Sequence, residues 1–194
     1  MDQAAQDREP SEETLPVRYY DWIAHFGRRT PDKPAVVDLA SERRFSYAQF
    51  DARISRLAAH LREALKIGRG DRVAVLALNT SDTLEVQFAC GRLGAVFLPL
   101  NTRLTVPELQ YIVGDAAPSL LIHDAELAHI ALAVAKLCKV SSTLLLGPGN
   151  SYEAAIARAK PLDKVEVVTL DDISTIMYNR APQGSRRARL SPMA

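Results

Sequence analysis

The chain reads as an α/β protein built on a mostly parallel sheet with helices on both faces, and three observations lead there. Short apolar runs of strand type alternate with longer stretches of helical period from Arg72 onward. The run Arg72 to Ala77 (RVAVLA) is apolar throughout after its first residue, as strands buried on both faces are. Two capping boxes, Ser46 with Gln49 and Thr105 with Glu108, mark helix starts through side chains that satisfy each other's orphan backbone donors.

Each element follows in order. Tyr19, Trp22, Ile23 and Phe26 recur at helical spacing ahead of Gly27, predicting a short amphipathic helix whose aromatic face packs on the domain. Ala35 to Asp38 and Arg43 to Tyr47 read as the strands of a hairpin around a polar turn. Phe45 and Phe50 flank the Ser46 cap as a hydrophobic staple. Phe50, Ile54, Leu57, Leu61 and Leu65 form one stripe of the helix that follows, with Arg53, Arg56, Arg62 and Glu63 expected on its solvated side and His60 at the boundary.

After the strand Arg72 to Ala77, a turn at Asn79 to Asp82 opens a helix running to about Gly94. Then come a strand at Val96 to Leu98, a helix capped by Thr105 and stapled by Leu104 and Leu109, and a strand at Ser119 to Ile122. Asp124 is read as opening a helix with the stripe Leu127, Ile130, Val134 and Leu137, beside a surface histidine, His123. A strand at Thr143 to Leu146, the turn Gly147 to Asn150, a helix from Tyr152 to about Ala159 and a strand at Ile173 to Tyr178 complete the pattern. Open sheets of this kind bind ligands at the carboxyl ends of their strands, so the loop after Tyr178 is the expected ligand position.

Composition narrows the classes. The chain has 194 residues, 47% of them hydrophobic and 24% charged, ordinary for a soluble globular domain. Of the 24 Lys and Arg residues, four lie after Asn179, leaving 20 against 23 acidic residues in the body and no case for nucleic acid. Cys90 and Cys138 fall in helical patterns with no metal-ligand spacing, which suits a reducing compartment. No apolar run is long enough for a transmembrane segment, and the location expected is cytoplasmic. His25, His60, His123 and His129 are scattered, and no serine stands in a nucleophile elbow, which sets aside a hydrolase.

The segments RTPDKPAVVD (Arg29 to Asp38), RRFSYAQFDARISRLAAHL (Arg43 to Leu61), the block from Gly70 to Asp124, and the lead-in LDDISTIMY ending at Tyr178 together carry a family resemblance. In order and spacing they resemble the amino-terminal part of AMP-forming acyl-CoA synthetases, of the adenylate-forming superfamily, over about residues 17 to 178. The resemblance implies ligation of a carboxylic acid, fatty acids in the first instance, to coenzyme A through an acyl-adenylate, with ATP, Mg²⁺ and CoA. It also implies that a Gly/Ser/Thr-rich phosphate loop follows Tyr178. Glycines in such a loop let backbone N–H groups close on the phosphates while hydroxyls and a lysine add donors and charge.

Here that loop is missing. Asn179 to Ala194, NRAPQGSRRARLSPMA, holds one glycine, four arginines and no acid. One choice of codons for this tail, with a single T inserted after the Asn179 codon, reads NSGTTGLAKGAIITHG, which is similar to the phosphate loop of the family. The expectation is therefore a frame disruption at the loop. Residues 1 to 16 are expected to be a disordered leader, 17 to 178 a partial AMP-binding-type domain, and 179 to 194 a disordered basic tail. Only Tyr178 and Asn179, at the edge of the lost loop, carry over as cofactor-binding positions; no catalytic or metal-binding residue does. The fragment is expected to be inactive alone and to bind no cofactor tightly. The alternative is a non-catalytic module that binds a full-length homologue or an acyl-CoA.

Overall fold

The computed structural model describes residues 19 to 179 and, as backbone, 187 to 192. The expected leader over residues 1 to 16 lies outside the described residues, as do 180 to 186 and 193 to 194 of the tail. Helix α1 (Trp22–Arg29) leads into a hairpin of β1 (Pro34–Asp38) and β2 (Arg43–Ser46), and then into α2 (Tyr47–Glu63). From there strands and helices alternate: β3 (Arg72–Leu76), α3 (Ser81–Leu93), β4 (Val96–Pro99), α4 (Val106–Ala116), β5 (Leu120–His123), α5 (Ala128–Cys138), β6 (Ser142–Leu145), α6 (Ser151–Arg158) and β7 (Ile173–Asn179). The last described element is β8 (Arg187–Pro192).

The main sheet has the order β6-β5-β3-β4-β7-β8, with every pairing parallel except the antiparallel β7–β8 edge. Strand alternation explains why helices cover both faces. Val73 and Val75 of β3, Phe97 of β4, and Leu120 and Ile122 of β5 point into one core with Phe50, Ile54, Leu57 and Leu61 of α2 and Val86, Ala89 and Leu93 of α3. Their neighbours Ala74, Leu76, Val96, Leu98 and Leu121 point into a second core with Leu109, Ile112 and Val113 of α4 and Ala131 and Val134 of α5. A central strand buried on both sides reads as an unbroken apolar run for this reason. Each fully buried Leu, Ile, Val or Phe contributes about 1.5–3 kcal/mol of transfer free energy.

The expected caps form as drawn. Ser46 Oγ accepts from the Gln49 N–H at 3.3 Å while Gln49 Oε1 accepts from the Ser46 N–H at 2.9 Å, and the Phe45 and Phe50 rings sit 6.0 Å apart beneath them. Glu108 Oε2 accepts from the Thr105 N–H at 2.9 Å. α3 ends on Gly94, whose φ of 65° is the left-handed conformation that glycine adopts without strain.

Four expectations change. α1 does not stop before Gly27 but runs through it to Arg29. A Cβ at Gly27 would lie 3.2 Å from Asp51 Cβ, so this glycine serves the close approach of α1 to α2 and not termination. In α5 three of the four residues of the expected stripe hold, Val134 buried and Leu127 and Ile130 packed against the second core, while Leu137 is 53% exposed and Ala131 and Ala135 complete the buried face. Arg53 is not solvated; it is held in an ion network described below. The tail, expected to lack order, contributes β8, in which Arg187 to Pro192 pair antiparallel with Asn179 to Ile173. Backbone hydrogen bonding explains this: the free edge of β7 offers N–H and C=O groups to any chain able to extend beside it.

Candidate functional site

The carboxyl ends of β3, β4, β5 and β7 converge on one rim of the sheet. β3 ends at Leu76, and the loop Ala77 to Thr80 leads to α3; β4 ends at Pro99 and runs on through Asn101 to Thr105. Asp124, after β5, binds both sides of this rim: Oδ2 accepts from the Leu78 N–H at 3.0 Å and Oδ1 from the Leu127 N–H at 2.9 Å. It therefore shapes the turn ahead of α5, which begins only at Ala128, and does not cap the helix directly. His123 is buried, not a surface residue, with Nδ1 2.8 Å from the Asp124 carbonyl oxygen. Parallel β5 places it at the end of a strand covered on both faces, and this accounts for the difference.

β7 brings Tyr178 and Asn179, the two expected site positions, to this rim. Asn179 is the last residue of β7, paired through its backbone with Arg187. Tyr178 lies on the face of β7 that packs on the second core, and its hydroxyl donates to the Asp115 carboxylate of α4. Burial first, then the Asp115 contact, push the Tyr178 phenol well above its ordinary range. Tyr178 thus anchors β7 to α4, and Asn179 ends the strand.

Beyond β7, residues 180 to 186, RAPQGSR, contain one glycine and one serine. Among the described residues no group of three or more His, Cys, Asp or Glu side chains is arranged to hold a metal ion.

A different concentration of charge lies under the hairpin, and sequence reasoning missed it. Arg53 of α2 donates from Nε to Glu85 Oε1 at 2.5 Å and from Nη2 to Oε2 at 3.1 Å. The same guanidinium reaches Glu153 of α6 at 2.6 and 3.0 Å. Arg43 of β2 donates to Ser81 Oγ at 2.9 Å and lies 2.8 Å from Asp82 Oδ1. Asp38 of β1 accepts from both the N–H and the hydroxyl of Ser81, at 3.0 and 2.9 Å, and so serves the start of α3. Tyr152, fully buried, donates to Glu85 Oε2 at 2.7 Å. Burial raises the carboxyls of Asp82 and Glu85 against the pull of the arginines. Burial would also raise Asp38, but the Ser81 and Ser41 hydrogen bonds outweigh it and hold that carboxyl well below the usual range. The signal was weak because the partners lie far apart in sequence, from residue 38 to residue 153.

Above this network, Val36, Val37, Leu39, Ala40, Thr83 and Leu84 line an open groove of about 670 Å³. Leu84 is continued along α3 by Phe88, whose ring meets that of Trp22 edge-on at 5.2 Å. Trp22 and Leu84 are 43% and 41% exposed on either side of the partly buried Phe88.

The AMP-binding enzyme family profile matches residues 23 to 179, ending at the last residue before the arginine-rich segment. A feruloyl-CoA synthase from Amycolatopsis sp is 38% identical over 163 residues, which cover 84% of this chain and 31% of the relative. The long-chain-fatty-acid–CoA ligase FadD13 from Mycobacterium tuberculosis is 32% identical over 156 residues, 80% of this chain and 31% of the relative. An inhibitor-bound crystal structure of the N-terminal domain of FACL13 from Mycobacterium tuberculosis superposes with a TM-score of 0.82 at 27% identity, covering 91% of this chain and 45% of that one. The chain thus spans about a third of the length of these curated relatives, at their amino-terminal side. With the profile covering nearly all the described residues and the parallel sheet matching in space, the chain belongs to the AMP-binding enzyme family.

Proposed function

We propose that this chain is the amino-terminal part of an AMP-forming ligase that joins a carboxylic acid, a fatty acid in the first instance, to coenzyme A in the cytoplasm. ATP with Mg²⁺ and CoA are the cofactors of that reaction, and a small-molecule acid is its partner. The 194-residue polypeptide does not form an acyl-adenylate by itself. One observation carries this reading: β7 brings Asn179 to the carboxyl rim, the family match ends on that residue, and the segment beyond it lacks the glycines and hydroxyls a triphosphate requires. A tail of four arginines offers phosphate only salt-sensitive attraction.

Pyrophosphate release with ATP and a panel of fatty and aromatic acids tests it. The 194-residue chain is expected to give no release above background, and a gene with the frame restored after the Asn179 codon is expected to turn over. Release by the unrepaired chain would refute the proposal. The Trp22, Leu84 and Phe88 stripe favours one second reading, a non-catalytic module that binds a full-length homologue or an acyl-CoA. Co-purification with the homologue that is lost in Leu84→Ser would support that reading.

A further inference from the structure

β7 carries the two site positions to the rim, yet its two neighbours hold it unequally. β4 meets it at one register position, Phe97 beside Thr175, whereas β8 runs beside it from Ile173 with Pro192 to Asn179 with Arg187. The chain from Ala159 to Asp172 that leads into β7 contributes no helix or strand. A strand keeps its place through its backbone ladder, so β7 depends chiefly on β8.

The register of the tail suits that ladder, because residues directly opposite one another in an antiparallel pair share a face of the sheet. Leu190 stands opposite Ile176 and Ala188 opposite Tyr178, and both of these β7 residues belong to the second core. Arg189 stands opposite Met177, which is 45% exposed, and Ser191 opposite the half-buried Thr175. The apolar residues of the segment thus fall in register with the core positions of β7, and a slip of one residue would exchange them with Arg189 and Ser191. β8 is also the last strand of the order on that side. Charge at Arg187 and Arg189, and a proline at 192 that offers no N–H, both discourage another strand from pairing beyond it.

We propose that residues 187 to 192 are a closing strand: they hold β7 against β4 and cover an edge that otherwise pairs with a second copy of this chain. The occupant of an uncovered edge follows from its residues. β7 reads ISTIMYN, seven residues without charge, proline or glycine, the composition of a segment that pairs with its own kind. Two such edges meeting antiparallel form a closed symmetric pair, since each offers the other the same row of N–H and C=O groups. The arginine-rich segment prevents this by taking the edge first.

The test uses the full 194-residue chain with single changes on the two faces of β8. Leu190→Asp sets a carboxylate at a position in register with the core, and Arg189→Asp makes a larger change of charge at a position in register with the exposed face. Hydrogen exchange at the backbone amides of residues 173 to 179 should accelerate by about tenfold or more in Leu190→Asp, while the amides of β3 and β5 stay protected. Light scattering should show the same variant growing from monomer to dimer or larger as concentration rises. Arg189→Asp should match the unaltered chain in both measurements, monomeric and protected. Leu190→Ser should show the same pattern at reduced size, and it carries the test if Leu190→Asp does not fold. Variants at 189 and 190 that behave alike, both silent or both loosened, overturn the register. A loosened β7 in a chain that stays monomeric at every concentration overturns the covering of the edge.

Discussion

Arg53→Met is the most exacting perturbation of this fold. The arginine makes four contacts of 2.5 to 3.1 Å with Glu85 and Glu153, and its side chain is 17% exposed. Removing it leaves Glu85, which has no exposed surface, with Tyr152 as its hydrogen-bond donor among these groups. Breaking a buried pair by deleting one partner costs about 3–5 kcal/mol, because the other charge is stranded. Methionine keeps most of the aliphatic stem, so the loss isolates the charge. For a chain of this size such a cost lowers Tm by about 6–20 °C, at about 2–4 °C per kcal/mol. Urea melts of Arg53→Met, Glu85→Gln and the double variant provide the assay. The double variant should cost less than the two single changes together, by at least about 0.5 kcal/mol. Destabilisation by Arg53→Met below about 1 kcal/mol, the range of an exposed ion pair, would refute the network as described.

Further outcomes follow from single positions. Gly94→Ala should destabilise by about 1–2 kcal/mol through backbone strain alone, since its Cβ would meet Arg69 and Val168 only at ordinary contact of 3.4 Å; thermal melts check this. Ser46→Ala should cost about 0.5–2 kcal/mol by removing one half of the α2 capping box. Cys90, buried and with its thiol pushed up to about 12, should stay unmodified by a thiol reagent at neutral pH until the chain unfolds. Rapid native modification at Cys90 would show that α3 is not packed as described.

Legibility followed the range of the physical signal. The capping boxes at Ser46 and Thr105 and the apolar run of β3 were readable because their causes lie within a few residues of chain. The end of α1 was misread because Gly27 answers to Asp51, a residue on another helix. Arg53 looked like one charge on a polar face, and nothing nearby in sequence announced Glu85 or Glu153. The contact of the Tyr178 hydroxyl with Asp115, 63 residues earlier, had no local signal either.

By itself, the amino-acid sequence determined the α/β alternation, the parallel sheet with helices on both faces, and the point at Asn179 where the family pattern stops. Periodicity, caps and turns are local, so they are written in consecutive residues. Only the tertiary structure decided which charges are buried together beneath the hairpin, which face of β7 Tyr178 takes, and that Arg187 to Pro192 lie along the open edge of that strand. Those outcomes depend on desolvation and on backbone groups left free by neighbouring elements, which no stretch of sequence specifies alone.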